Sequence, residues 1–208
     1  MNNFITGITG IKEGVILEKG VKLNEEYLEE NFDHIGDLLN YFIDYPDLFI
    51  DMITPEDTGF HLYFYQRIFL RAIMRFRTVY ITAPRAWSKS FLTILGLFLQ
   101  CIFIPGRKVF ICTPGKSQGA KIAKEKLFEI FRLFPLLRKE LIGGEYDETP
   151  GNYGKDYVEL RFRNGSQFDV VAPLDSTRGG RRNGGLIDEV RKFCIIFVEM
   201  RDSISALY

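Results

Sequence analysis

Histidine and tryptophan are nearly missing from this chain of 208 residues, which has two of the first and one of the second. With only His34 and His61 to draw on, and Cys101, Cys112 and Cys194 far apart, no zinc-binding set can be assembled. The cysteines are odd in number and set in apolar surroundings, which suits reduced core thiols in a cytosolic protein better than a disulfide framework. Formal net charge is zero, so a nucleic-acid partner can be argued only from where basic residues cluster. The first fourteen residues lack a basic segment followed by an apolar core and carry no secretory signal. The apolar run after Ser90 is broken by Gln100 and falls short of a bilayer span, so it predicts a helix covered on all sides within a domain.

What is present centres on Val79 to Pro105. Val79, Tyr80, Ile81 and Thr82 are of the types that suit a buried strand, and the apolar run after Ser90 reads as a helix that stops before Pro105-Gly106. Between them lies Ala83-Pro84-Arg85-Ala86-Trp87-Ser88-Lys89-Ser90, which fits G-x-x-x-x-G-K-[ST] at its lysine and serine but has neither glycine. Such a turn aims backbone N–H groups and a helix N-terminus at one place, where a phosphate is favoured. Lys89 would add a point charge for the β and γ phosphates and Ser90 an oxygen ligand for Mg²⁺. Ala83 and Ser88 stand where glycine is usual, and a side chain in the left-handed region costs about 1–2 kcal/mol. The bland alternative is a lysine at the start of a core helix.

Residues 1 to 22 read as an irregular arm. From Asn24 a helix is predicted, with an apolar stripe at Leu38, Leu39, Phe42 and Ile43, followed by a short one over PDLFIDMI that ends at Thr54-Pro55. The domain division is 1–57 for this arm and helical appendage and 58–208 for the main domain. Phe60 to Arg67, FHLYFYQR, opens a helix that runs to about Arg75 and contains Tyr65-Gln66-Arg67, where the glutamine amide matches the Hoogsteen edge of adenine and Phe60 or Tyr65 could pack on the ring. Lys108 to Cys112 reads as a second parallel strand, ended by Thr113-Pro114-Gly115 and followed by a helix from Ser117 to about Phe134. Lys116, Gln118 and Lys121 lie at that strand's carboxyl end, where open α/β sheets bind ligands. Residues 143 to 155 form a loop, and YVELRFR-Asn164-Gly165-SQFDVVA a β-hairpin. Ser176 to Asn183 is the densest basic cluster. Behind it Gly184 to Val190 is a short strand delivering Asp188 and Glu189, of which the first can hold the Mg²⁺ hydration shell and the second can orient and deprotonate water.

From Phe60 to Val190 the sequence resembles the large terminase subunits of tailed bacteriophages, in their amino-terminal DNA-packaging ATPase. The elements occur in that family's order: Tyr65-Gln66-Arg67, then APRAWSKS, TPGKSQGAK, the hairpin FRNGSQF, Thr177-Arg178-Gly179 and LIDE. Arg85 sits where the family places an arginine inside the phosphate loop. The resemblance implies an α/β P-loop NTPase of the RecA-like kind, a mostly parallel central sheet flanked by helices, and a small helical appendage. It implies ATP and Mg²⁺ as cofactors and hydrolysis that drives double-stranded DNA into the procapsid. Nucleotide contacts would come from Tyr65, Gln66 and the loop residues Pro84, Arg85, Ala86, Trp87, Ser88, Lys89 and Ser90, with Ser90 and Asp188 at the metal. Glu189 would be the catalytic base, with Arg178 and Arg85 stabilising charge, and Arg178 acting across a subunit boundary unless Arg181 or Arg182 replaces it. Implied partners are the small terminase subunit, the portal protein and further copies in a pentameric ring, in the host cytoplasm. Ser88 departs from the glycine the family keeps, and the chain ends before the family's coupling motif and acidic nuclease domain, as a truncated subunit would. Two other readings stay open, a superfamily-two helicase or translocase core and a non-hydrolysing nucleic-acid-binding module with a decayed P-loop.

Overall fold

The computed structural model describes residues 32–84, 86–113, 115–171 and 182–187. The predicted amino-terminal arm and Asn24 cap, Arg85, Pro114, the cluster 176–181 with Arg178, Asp188, Glu189 and Cys194 lie outside these residues. The described chain is α/β, with helices α1 (Phe32–Asp44), α2 (Pro46–Ile53), α3 (Phe64–Arg75), α4 (Lys89–Phe103), α5 (Lys116–Leu133) and α6 (Pro135–Arg138). Strands β1 (Lys108–Cys112), β2 (Asn152–Tyr153), β3 (Val158–Arg161), β4 (Gln167–Val171) and β5 (Gly184–Ile187) form one sheet in the order β2-β3-β4-β1-β5.

β1 runs parallel to both β4 and β5, whereas β3 pairs antiparallel with both β2 and β4. The sheet is therefore mixed and not mostly parallel, because the predicted hairpin and the short strand β2 add antiparallel strands along one side. β2 also falls within the stretch expected to be all loop. A second correction concerns Val79 to Thr82, which belongs to no strand and leaves Tyr80 largely exposed. Strand-forming residues express a fit to a half-buried pleated surface, and without a paired neighbour that propensity builds no ladder.

One face of the sheet is buried. Val109 and Ile111 of β1, Phe168 and Val170 of β4 and Val158 and Leu160 of β3 share that face by register, and all join one core with α4 and α5. The opposite face carries Lys108, Phe110, Gln167, Asp169, Glu159 and Arg161, exposed or half-buried, and is buried only at its carboxyl end, at Cys112 and Val171. The expected helix covered all round is α4, with Phe91, Leu92 and every residue from Ile94 to Cys101 buried. No helix among the described residues is long and apolar enough to cross a membrane.

α4 is held at close quarters by α3. A Cβ on Gly96 would come within 2.9 Å of the Ile73 side chain, so glycine here permits the approach of the two helices. Buried Gln100 is satisfied within that contact, donating to the Ile73 carbonyl at 3.1 Å. The carboxyl end of α4 is closed by the hairpin turn: Asn164 Nδ2 donates to the carbonyls of Cys101 and Ile102, and the Ser166 hydroxyl to that of Ile104. Two carbonyls left over in the last helical turn, those of Cys101 and Ile102, thereby gain partners.

α2 shares the common core through Ile50 and Ile53 and is held on α3 and α4 through ions as well as rings. Asp47 of α2 has a fully buried side chain and accepts two hydrogen bonds from Arg71 at 2.7 Å, while Arg67 spans Asp47 and Asp51. Burial works to raise the Asp47 pKa, but the arginine hydrogen bonds and charges outweigh it and hold the carboxyl below its ordinary range. Tyr45 lies under the guanidinium groups of both Arg71 and Arg75, and Phe49 meets Phe103 edge-on. Cys101 and Cys112 are buried free thiols, as expected, each pushed up in pKa by burial.

Candidate phosphate-binding loop

Residues 83–90 end at the start of a long buried helix, and their backbone is unusual. Ala86 has φ +66° and Ser88 φ +52°, and Ser88 is the N-cap of α4 in the left-handed region. Among the described residues no side chain caps the helix, and no acidic residue lies in its first turn, so its first N–H groups and the positive end of its dipole can receive an anion. The template position usually held by glycine thus has the backbone of a glycine and the side chain of a serine.

The Lys89 ammonium folds back over the loop, donating to the Ala83 carbonyl at 2.5 Å and the Pro84 carbonyl at 3.3 Å. An ammonium has three protons to donate, so the third can turn outward toward an anion while the first two brace the loop. Ser90 follows in the first turn, half-buried. A serine hydroxyl is a hard oxygen donor of the kind Mg²⁺ takes alongside carboxylate and phosphate oxygens.

β1, β4 and β5 are parallel, so Cys112, Val171 and Ile187 end their strands at one edge of the sheet, where Thr113 follows β1. Four residues separate the end of α4 from the start of β1, and α4 packs along β1, β4 and β5. Its length of 15 residues, about 22 Å at 1.5 Å per residue, carries its amino end back toward the edge where those strands finish. Lys116, Gln118 and Lys121 are exposed at the start of α5, and Thr113 donates from Oγ1 to the Gly115 carbonyl.

Several predicted contacts are redistributed. Gln66 is buried, and its side-chain oxygen accepts the Tyr63 N–H at 2.9 Å, so it starts α3. Arg67 is engaged by Asp47 and Asp51. Phe60 packs inward against Phe91 and Phe134. Tyr65 instead lies against Trp87, with ring centroids 4.6 Å apart, which joins the two segments expected to contact nucleotide. Arg182, a candidate to replace Arg178, pairs with Asp169 of β4 at 3.3 Å. Burial raises the Asp169 pKa and Arg182 works against that rise. The glutamine cap had a sequence signal, the three-residue spacing from Tyr63, though tyrosine is not a usual cap residue. No protein-family model matches the chain, and no curated protein matches it at a significant level.

Proposed function

We propose that residues 83–90 bind the phosphates of ATP and that the chain is the ATPase motor domain of a terminase-like DNA-packaging enzyme. The observation that carries this reading is the Lys89 ammonium braced across its own loop at the uncapped start of a buried helix. The order of motifs from Tyr65 to Glu189 supplies the narrower assignment to terminase. Double-stranded DNA, the small subunit, the portal protein and a ring of further copies are its proposed partners.

In this scheme the N–H groups of the loop and of the first turn of α4 receive the phosphate oxygens, and Lys89 meets the β and γ phosphates. Bound Mg²⁺, held by Ser90 and Asp188, would neutralise charge on those phosphates. Glu189 takes the proton of the attacking water, and Arg178 or Arg85 meets charge growing on the γ-phosphate oxygens with a planar fork that lysine lacks. Arg178 is assigned to the neighbouring subunit of the ring.

Calorimetric titration tests the first step: Lys89→Ala is expected to abolish Mg·ATP binding while leaving the circular dichroism spectrum and urea midpoint intact. Unchanged affinity would remove the assignment. Glu189→Gln is expected to retain ATP and stop its turnover. ATP binding by the unaltered chain with no turnover, even in a chain extended past residue 208, would favour the non-hydrolysing module.

A further inference from the structure

The chain has one tryptophan, and it stands inside the proposed phosphate loop. Trp87 is bracketed by Ala86 and Ser88, the two non-glycine residues of positive φ among those described. Its indole lies on Tyr65 at 4.6 Å between centroids and 37° between planes. Tyr65 runs parallel to Tyr63 at 6.1 Å, and Tyr63 meets His61 edge-on at 5.5 Å. Four rings from two separate segments thus make one row beside the loop. Trp87 keeps 45% of its surface exposed, although an indole gains more than most side chains from burial.

A broad aromatic surface, backed by a tyrosine and open elsewhere, sits two residues before the ammonium proposed to meet phosphate. We infer that the base of a nucleoside triphosphate stacks on the Trp87 indole, with Tyr65 behind it, and that the site reads the face of the base and not its edge. This rests on the phosphate-loop reading above. Gln66, which could have read an edge, has its carbonyl oxygen committed to the Tyr63 N–H and its side chain buried. Phe60, the other ring offered by the sequence, is taken up by the core. Every base has a π face, so stacking without edge contacts tolerates a change of base. The expected ligand class is purine nucleoside triphosphates with little choice between adenine and guanine.

Equilibrium binding of Mg·ATP, Mg·GTP and inorganic tripolyphosphate tests this on the 208-residue chain and on Trp87→Ala, Trp87→Phe and Lys89→Ala. Stacking is expected to make Trp87→Ala weaker for ATP and GTP alike by roughly 5- to 150-fold, with tripolyphosphate affinity unchanged and Trp87→Phe recovering most of the loss. In the unaltered chain ATP should quench the tryptophan emission, and tripolyphosphate should not. Lys89→Ala should weaken all three ligands. If Trp87→Ala binds ATP normally while Lys89→Ala does not, the stacking inference falls and the phosphate loop stands. If Trp87→Ala loses tripolyphosphate as fully as ATP, the residue only shapes the loop and the inference is again overturned. A preference for ATP over GTP beyond roughly a hundredfold would overturn face reading, since an unaided stack does not discriminate so strongly. If the folded, unaltered chain binds none of the three, both readings fall together.

Discussion

The helix α4 has one relaxed end and one strained end. At its carboxyl end the hairpin turn uses Gly165 at φ +83°, and Asn164 closes the helix carbonyls. At its amino end Ala86 and Ser88 hold left-handed backbone with side chains attached. Every other described residue of clearly positive φ, at 59, 106, 143, 151 and 165, is glycine. Glycine therefore serves where the turn is only architecture, and the cost of about 1–2 kcal/mol for a left-handed side chain is carried twice within three residues at the candidate site. Strain so placed persists only when its surroundings over-determine it, and it clusters where a ligand is held.

The scaffold that fixes the strained end can be broken hardest at Asp47, whose arginine partners lie on the same helix as Tyr65. Asp47→Ala leaves Arg71 without its carboxylate and Arg67 with Asp51 alone, and is expected to cost about 3 kcal/mol in urea unfolding. The pH dependence has a definite sign. Because the folded pKa is depressed, the stabilisation is present above the unfolded value of about 3.9 and is lost as pH falls through the folded one. The gap in stability between the unaltered chain and Asp47→Asn should therefore narrow on acidification below about pH 4. A gap constant down to pH 2 would mean that the charge is not what holds α2.

Smaller effects separate the two ends of α4. A Cβ at Gly165 meets nothing, so Gly165→Ala should cost about 1–2 kcal/mol from φ alone. Asn164→Ala should cost a similar amount by leaving helix carbonyls unpaired. Ser88→Gly is the mirror experiment and should have the smallest effect, a gain of up to about 1 kcal/mol as relief of strain is partly offset by a freer unfolded chain. Thermal melts of Gly165→Ala and Ser88→Gly that move in the same direction would abolish the contrast.

The parts of this fold that were legible in the sequence are those set by local rules. β1 was expected over Lys108 to Cys112 and found there, α2 follows its proline, and the Asn-Gly turn sits where alternating residues flank it. Val79 to Thr82 failed because strand residues predict a strand only when the sheet supplies a partner. The one-sided burial of the sheet follows from where α4 and α5 both pack, which no local pattern records. The Asp47 clamp joins residues 20 and 24 positions apart, and nothing in either segment names its counterpart. At the site, the lysine and serine were visible by spacing, whereas the partnership of Trp87 with Tyr65 required the fold to bring the loop against α3.

The most direct measurement of the central claim is residue-resolved: backbone amide ¹H–¹⁵N shifts of the 208-residue chain during titration with Mg·ATP. If the loop receives phosphates, the largest saturable shifts should fall on the amides of residues 86 to 91, where the loop meets the start of α4, and should vanish in Lys89→Ala. Saturable shifts centred elsewhere in the chain, with residues 86 to 91 unmoved, would contradict it.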